Sequence, residues 1–256
     1  MPNKTPTFSI VTCTWNSAAT LADTLASISA QSCQDIEHIF VDAGSTDATL
    51  DMIAAYPGNK RVLRDVRGGI SRAMNQGIEA ASGEFVAHLH SDDYYANASV
   101  LAGVASDLAA SRRDWLFGAV EVLKEGGLTP PFPVRPFSYF ALASGAAFIP
   151  HPAVFVRRSL FARVGMFDER LKFAMDIDLW LRLAALTPPA ALGRTLAVFR
   201  DHAGSVSSAN RIRARQEEFG VRRRHMGKSP LAFGIYCLRY LKRMRALRRA
   251  AATSMA

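Results

Sequence analysis

The chain has 256 residues, of which 49% are hydrophobic and 21% are charged, and its formal net charge at pH 7 is +9. These values are ordinary for a globular protein and exclude intrinsic disorder, collagen and coiled coil as descriptions of the whole chain. The three cysteines are odd in number and form no CxxC pair, which argues against a disulfide framework or a cysteine zinc site.

The basic character of the chain is concentrated near its C-terminus. Residues 211–249 contain 13 Lys or Arg side chains and only two Glu, a local net charge of +11, whereas the first 210 residues carry −2. This distribution predicts a domain over residues 1–210 and a basic helical tail over 211–256. The first residues, MPNKTPT, contain no apolar segment typical of a signal peptide, so we expect a cytoplasmic protein.

The first hundred residues alternate between strand and helix periodicities. The predicted strands lie at 8–14, 36–41, 61–63 and 85–89, and the predicted helices at 18–30, from 47 onward and at 70–81. Ser17 is the expected N-cap of the first helix. This alternation predicts a parallel sheet with helices on its faces, which binds ligands at the carboxyl ends of its strands.

Polar residues follow each predicted strand. They are Thr14, Trp15 and Asn16 after the first strand, Asp42 after the second, Asp65 after the third, and Asp92 and Asp93 after the fourth. Such residues also make ordinary turns. Because all four strand ends carry them, we expect them to line one crevice. Asp92 and Asp93 offer hard oxygen ligands to Mg²⁺ or Mn²⁺, although paired carboxylates also occur at helix N-termini.

The alternation loosens after residue 122, so the domain divides into halves of about 1–122 and 123–210. The second half contains predicted helices at 160–164 and 176–186 and a strand at 196–200. Asp176 and Asp178 point about 200° apart on their helix, so one can face the crevice while the other caps or pairs. His202, after the last strand, and His151, between two prolines, are metal or phosphate contacts or structural histidines.

Several signatures of other enzymes are absent. No GxGxxG follows the first strand and no GxSxG is present, which argues against a dinucleotide-binding enzyme and a serine hydrolase. The sequence Gly227-Lys228-Ser229 is not a P-loop, because Arg222 occupies the position of the required first glycine.

The ordered motifs resemble the family 2 glycosyltransferases of the bacterial surface-polysaccharide type, which are inverting enzymes of the GT-A fold. The likeness is dense over residues 8–95, in FSIVTCTWNSAATLADTLASISAQ, HIFVDAGSTDATLDMI and GGISRAMNQGIEAASGEFVAHLHSDD. It continues more loosely through HPAVF at 151–155, GMFDE at 165–169, 175–182 and 199–208. The resemblance implies an α/β fold with a Rossmann-like, mostly parallel central sheet flanked by helices, to which the basic tail adds an amphipathic C-terminal helix.

The resemblance also implies roles for individual residues. The first half would bind a nucleotide sugar, a UDP-sugar first with GDP- and dTDP-sugars as alternatives, and the second half would bind the acceptor. Donor-binding residues would be Thr14, Trp15, Asn16, Asp42, Asp65 and Asp92. A divalent metal, Mn²⁺ or Mg²⁺, would be held by Asp92, Asp93 and His202. Asp176 would be the general base, with His151 and Trp180 on the acceptor side.

The implied reaction is transfer of a sugar to a hydroxyl of a glycan or lipid-linked acceptor. Three positions depart from the family pattern: His90 replaces the first acidic residue of the metal motif, Ala43 a frequent second aspartate, and Met175 a common glutamate. These departures leave a second hypothesis open, a catalytically inactive nucleotide-sugar-binding or membrane-scaffolding protein. A nucleotidyltransferase is disfavoured, because TCTWNSAAT lacks the Gly-rich loop expected after the first strand.

The tail is predicted to form one helix from Ser229-Pro230 to about Ala251. Its apolar stripe consists of Phe233, Cys237, Tyr240, Leu241, Met244 and Leu247, and its polar side is rich in Arg and Lys. This pattern is typical of an interfacial helix on an anionic membrane, which would make the protein peripheral on the inner face of the cell membrane. The alternatives are a helix docked on the domain, a dimer contact and, least favoured, nucleic-acid binding.

Overall fold

The computed structural model of the chain describes residues 5–201 and 210–253. Its first part alternates strands and helices as the sequence predicts: β1 (Phe8–Thr14), α1 (Leu21–Ser29), β2 (Ile36–Asp42), α2 (Thr49–Ala55), β3 (Lys60–Leu63), α3 (Ile70–Ala80) and β4 (Phe85–His88). These strands pair in parallel in the order β3-β2-β1-β4. Their carboxyl ends therefore meet at one edge of the sheet.

The second part adds strands of both directions. It comprises β5 (Tyr94–Tyr95), α4 (Val100–Ser111), β6 (Trp115–Lys124), β7 (Gly127–Thr129), α5 (Tyr139–Ala143), β8 (Val154–Arg157), α6 (Ser159–Val164), α7 (Met175–Leu186) and β9 (Ala190–Arg200). The sheet continues β4-β8-β6-β9-β5, and β8 is antiparallel to both of its neighbours. The sheet is thus parallel in its first half and mixed in its second.

The first helix begins later than predicted. The carbonyl oxygen of Ser17 accepts hydrogen bonds from the backbone N–H groups of Thr20 and Leu21, both at 3.0 Å, which forms a separate turn before α1. The hydroxyl of Ser17 accepts the N–H of Trp15 at 3.2 Å. Ser17 therefore closes the loop after β1 and is not the N-cap of α1.

Two hydrophobic layers cover the faces of the sheet. Alternate residues of β1 point to opposite faces, so Ile10 packs in the layer that contains α1 and α4, whereas Val11 packs in the layer that contains α3 and α7. Because both faces are covered, every residue of β1 is buried. This central strand fixes the position of the loop that follows it.

The basic tail forms two helices, α8 (Arg211–Arg224) and α9 (Pro230–Thr253), which pack back onto the domain. The predicted membrane-facing stripe is turned the other way: Met244 is buried, and Phe233, Cys237, Tyr240 and Leu247 are half-buried. The reason is an aromatic surface on α8, where the ring of Phe219 lies 5.6 Å from that of Phe233 and 4.6 Å from that of Tyr240. Of the stripe, only Leu241 is exposed. Within the described residues, no helix is both long and apolar enough to cross a membrane.

Candidate active site

The ends of β1 and β2 are joined by a buried carboxylate. Asp42 has no exposed surface, and its Oδ1 accepts the N–H groups of Gly44 at 2.9 Å and Ser45 at 2.8 Å. Its Oδ2 accepts the hydroxyl of Thr14 at 2.8 Å and that of Ser45. Although burial opposes it, these hydrogen bonds lower the pKa of Asp42. The carboxylate is therefore an anion that shapes the wall of the crevice through its protein donors.

The loop after β1 is tied to the loop after β2. The N–H of Asn16 donates to the Ser45 hydroxyl at 2.9 Å, and the side-chain oxygen of Asn16 accepts the N–H of Thr46 at 2.9 Å. Asn16 takes a left-handed backbone conformation with φ 49°, which its short polar side chain tolerates. Trp15 is 67% exposed beside this junction. An exposed indole on a fixed loop is suited to stacking on a planar ligand.

The third strand contributes Asp65 to the same place. Gly44 has φ 94°, and a Cβ added there would lie 3.3 Å from Oδ1 of Asp65 and 3.2 Å from the guanidinium of Arg67. The N–H of Val66 also donates to the carbonyl of Asp42 at 2.9 Å. The structure thus brings Thr14, Asn16, Asp42 and Asp65 together at one edge of the sheet, and the glycine allows the close approach.

The two aspartates after β4 have different surroundings. Asp93 is 2% exposed and accepts the N–H of Arg200 at 3.1 Å, and burial followed by the charge of Asp92 raises its pKa well above the ordinary value. Asp92 is only half-buried, and its carbonyl oxygen accepts Nε of Arg200 at 3.2 Å. Asp93 therefore fastens β9 to the end of β4, whereas Asp92 is the one of the pair with an exposed surface.

Among the described residues at this edge of the sheet, Asp92 is the one suited to hold a divalent cation. Within residues 5–201 and 210–253, no three His, Cys, Asp or Glu side chains are arranged to hold a metal ion. His202, the expected third ligand, lies outside the described residues, and the carboxyl of Asp93 is buried and accepts the N–H of Arg200. Asp92 fits, because Mg²⁺ and Mn²⁺ commonly bind one protein carboxylate together with substrate phosphates.

A row of rings leads from the end of β4 to helix α7. The imidazoles of His90 and His151 are stacked, with centroids 5.1 Å apart and planes inclined by 11°. On the other side of His151 the indole of Trp180 lies 5.9 Å away, and Trp180 itself stacks on Trp115 at 6.1 Å. Burial lowers the pKa of both histidines, so the row is uncharged at neutral pH. Trp180 is 2% exposed and supports this site from the core, without offering a surface to an acceptor.

Asp176 and Asp178 lie on different sides of α7. Asp178 is buried, with an ion pair to Nε of Arg182 at 2.9 Å and a hydrogen bond with Nε2 of His225 at 3.1 Å. Asp176 is half-buried, and its Oδ1 accepts the N–H of Ile177 at 2.6 Å. Burial raises the pKa of Asp176 to about 6. Asp178 is therefore structural, while Asp176 is poised to exchange a proton near neutral pH.

Comparison with known proteins identifies the family to which the chain belongs. Residues 9–163 match the family model described as Glycosyl transferase family 2. The chain belongs to glycosyl transferase family 2. This glycosyltransferase is 34% identical over 202 residues to a PGL/p-HBAD biosynthesis glycosyltransferase of Mycobacterium bovis, covering 75% of each chain. It is 32% identical over 199 residues to an uncharacterized glycosyltransferase of Mycobacterium tuberculosis, covering 76% of this chain and 75% of that one.

Solved structures agree on the fold. Staphylococcus aureus TarS 1-349 in complex with UDP-GlcNAc has a TM-score of 0.70 at 22% identity, over 84% of this chain and 64% of TarS 1-349. The present chain thus spans less than two thirds of that structure. The mannosyltransferase PcManGT from Pyrobaculum calidifontis, in complex with GDP-Man and Mn²⁺, has a TM-score of 0.62 at 20% identity, over all of this chain and 82% of PcManGT. The glycosyltransferase has the GT-A fold.

Two site residues of the glycosyltransferase were missed by sequence reasoning. Ser45 binds the Asp42 carboxylate through both its N–H and its hydroxyl, and the Ser that follows Gly44 in a polar turn after a strand is a signal for such a bond. Arg200 joins β9 to Asp92 and Asp93 and also pairs with Asp23. No local pattern indicates this role, since Arg200 is more than 100 residues from the aspartates.

Proposed function

We propose that this enzyme is an inverting glycosyltransferase that moves a sugar from a nucleoside diphosphate to a hydroxyl of a glycan or lipid-linked acceptor, with Asp176 as the general base. The observation that carries the proposal is the position and proton affinity of Asp176. It lies in the first turn of α7, one turn before Trp180, and the row of rings connects that face to His90, two residues from Asp92. A pKa of about 6 suits a base that acts near neutral pH.

The proposed reaction is a single displacement. The Asp176 carboxylate takes the proton of the acceptor hydroxyl as its oxygen bonds to the anomeric carbon, and the bond from that carbon to the diphosphate oxygen breaks. The nucleoside diphosphate leaves with the bonding electron pair. Because the acceptor approaches opposite to the leaving group, the anomeric configuration inverts. Asp178 is held by an ion pair with Arg182 and a hydrogen bond with His225, so no covalent intermediate is assigned to α7.

The first half, about residues 1–122, would hold the donor, and the second half, about 123–210, the acceptor. Trp15 offers an exposed ring for the nucleobase, and Asp65 follows β3 and lies beside Gly44. Asp42 would act by fixing the turn at Gly44 and Ser45. Asp92 would hold a divalent cation together with the diphosphate, and that cation would stabilise the negative charge of the leaving group. The UDP-GlcNAc of TarS and the GDP-Man and Mn²⁺ of PcManGT support a nucleotide-sugar donor and a metal.

The acceptor side would face a membrane through the outer surface of α9. Leu231, Leu238 and Leu241 are between 51% and 71% exposed and lie on the same side of the helix. The basic residues Arg239, Lys242, Arg245, Arg248 and Arg249 are also exposed on α9. This exposed surface combines apolar side chains with positive charge, as expected for peripheral binding to anionic lipid. We therefore place the enzyme at the inner face of the cell membrane, acting in surface glycan or glycolipid assembly.

The donor site is tested by thermal stability with UDP-, GDP- and dTDP-sugars, with and without Mn²⁺, on the wild type, Asp92→Asn and Asp93→Asn. The proposal predicts metal-dependent stabilisation by one nucleotide class, lost in Asp92→Asn and kept in the matched variant Asp93→Asn, because Asp93 is buried and bonded to the backbone of Arg200. Binding without any turnover of the donor would favour a catalytically inactive nucleotide-sugar-binding or scaffolding protein. Absence of binding by all donors would reject the proposal.

Membrane binding is tested by co-sedimentation with phosphatidylcholine vesicles that do or do not contain phosphatidylglycerol. We expect binding only to the anionic vesicles, weakened by salt and by Leu238→Ser combined with Leu241→Ser. Leu128→Ser is the matched control, since Leu128 is 55% exposed on β7. Equal binding by the double variant would contradict the assignment of this surface.

A further inference from the structure

Helix α8 of the basic tail reaches the segment that precedes Asp176. One carboxylate oxygen of Glu217, Oε1, accepts three consecutive backbone N–H groups: Lys172 at 2.9 Å, Phe173 at 2.7 Å and Ala174 at 2.8 Å. Its other oxygen accepts the Lys172 N–H at 3.1 Å. These groups lie at the N-terminus of α7, whose N-cap residue, Ala174, has no side-chain acceptor of its own. Glu217 therefore caps α7 from another helix.

The position of α8 is fixed by further contacts with the domain. Arg222 is 5% exposed and donates to the carbonyl oxygen atoms of Leu142 and Ala143, and its guanidinium lies 4.5 Å from the ring centroid of Tyr236. It also pairs with Glu218 at 2.8 Å. Since a buried arginine with this many partners cannot move without losing them, the helix that carries Glu217 is held firmly.

Charged residues of α8 also affect the pKa of Asp176. After burial, the charge of Glu218 contributes to raising the pKa of Asp176, while Arg222 opposes it. The N-terminus of a helix carries a partial positive charge, which favours a carboxylate in its first turn. The anion of Glu217, placed against that terminus, offsets part of this charge. The tail thus contributes both geometry and electrostatics around Asp176.

We propose that Glu217 is a positioning residue of the glycosyltransferase: by capping α7 from the tail, it holds Asp176 where an acceptor hydroxyl can reach it. The proposal rests on the assignment of Asp176 as the general base. Helix α8 then contributes to the acceptor half, so the functional domain extends beyond residue 210. Misplacing a catalytic group by about 1 Å can cost about 100-fold in rate, which sets the scale of the expected effect.

The test compares kcat, donor KM and the pH profile of the full chain for the wild type, Glu217→Gln, Glu217→Ala and Gln216→Ala. Gln216 is the matched control, because it is exposed and adjacent on α8. We expect kcat to fall about 10- to 100-fold in Glu217→Ala and less in Glu217→Gln, which keeps one acceptor oxygen, with donor KM unchanged. The acidic limb of kcat should move to lower pH in both, because the uncompensated helix terminus stabilises ionised Asp176.

Two outcomes would overturn the role of Glu217: an unchanged kcat and pH limb in folded Glu217→Ala, or a fall in kcat accompanied by an equal loss of donor affinity. Circular dichroism establishes whether the variants fold. If Glu217→Ala does not fold, Glu217→Gln provides the test. Asp176→Asn separates the two proposals. If Asp176→Asn stays active, the base assignment fails; if it is inactive while both Glu217 variants are normal, only the role of Glu217 fails.

Discussion

The stacked imidazoles of His90 and His151, with ring centroids 5.1 Å apart, join the end of strand β4 to the start of β8. His90 stands two residues before Asp92, and His151 contacts Trp180 on the helix that carries Asp176. The contact therefore connects the first half of the domain, about residues 1–122, to the second half. His90 thus contributes to the packing between β4 and β8.

A first prediction concerns this contact. His151→Ala removes the ring between His90 and Trp180 and should destabilise the protein by about 1–3 kcal/mol, since it loses aromatic contacts and leaves a cavity. His151→Phe keeps a ring and should retain most of that stability. Urea unfolding of the two variants measures the difference. Equal stability of His151→Ala and wild type would show that the row of rings does not hold the two halves together.

A second prediction concerns the pH dependence of catalysis. Burial raises the pKa of Asp176 to about 6, so the base is protonated and inactive below that pH and becomes competent above it. The rate at saturating substrate should therefore rise through a midpoint near pH 6. Stopped assays from pH 4.5 to 8 test this. A rate that stays flat down to pH 4.5 would mean that a group of ordinary acidity, or no carboxylate, accepts the proton.

A third prediction links the same aspartate to stability. The raised pKa means that ionised Asp176 destabilises the folded state, so its contribution to stability is present below about pH 4 and is lost as the pH rises through about 6. Asp176→Asn cannot ionise and should be more stable than wild type at pH 7.5, by on the order of 1–2 kcal/mol. At pH 4 this advantage should vanish. Thermal unfolding at the two pH values measures this difference. If Asp176→Asn were less stable than wild type at both, ionised Asp176 would not destabilise the folded state.

A fourth prediction concerns the turn after β2. Asp42→Ala leaves the N–H groups of Gly44 and Ser45 without their acceptor in a buried place and should cost about 1–3 kcal/mol. Donor affinity should fall as well, because the same turn carries the loop of Asn16. Asp51→Ala, an exposed position on α2, is the control. Urea unfolding and donor titration together measure both effects. Normal donor affinity in a destabilised Asp42→Ala would show that the turn does not shape the donor site.

The convergence of the polar residues at one edge of the sheet could be predicted from sequence, because they follow strands whose order is set by local pattern. Thr14, Asp42 and Asp65 each end a strand of the parallel β-α series, and such ends always meet at one edge. Asp93 shows the limit of this reasoning. Its neighbour Asp92 has the same local sequence, and only the long-range contact with Arg200 of β9 makes Asp93 a buried residue with a raised pKa.

The basic tail shows why the sequence did not predict the other contacts of the structure. An apolar stripe flanked by arginines packs equally well on a membrane or on a protein, and periodicity does not distinguish the two. The stripe around Met244 packs on the protein because Phe219 of α8 lies against Phe233 and Tyr240 of α9, and periodicity gave no signal for the exposed outer leucines either. The bonds from Glu217 to the start of α7 span more than 40 residues and follow no motif.

The most direct test of the account is transfer of radiolabelled sugar from UDP-, GDP- and dTDP-sugars, with Mn²⁺, to a membrane lipid extract by the wild type and by Asp176→Asn. We predict label in the lipid fraction with one donor class, and a loss of about 100-fold or more in Asp176→Asn while donor binding is unchanged. Transfer by Asp176→Asn at the wild-type rate would contradict the central claim that Asp176 is the base.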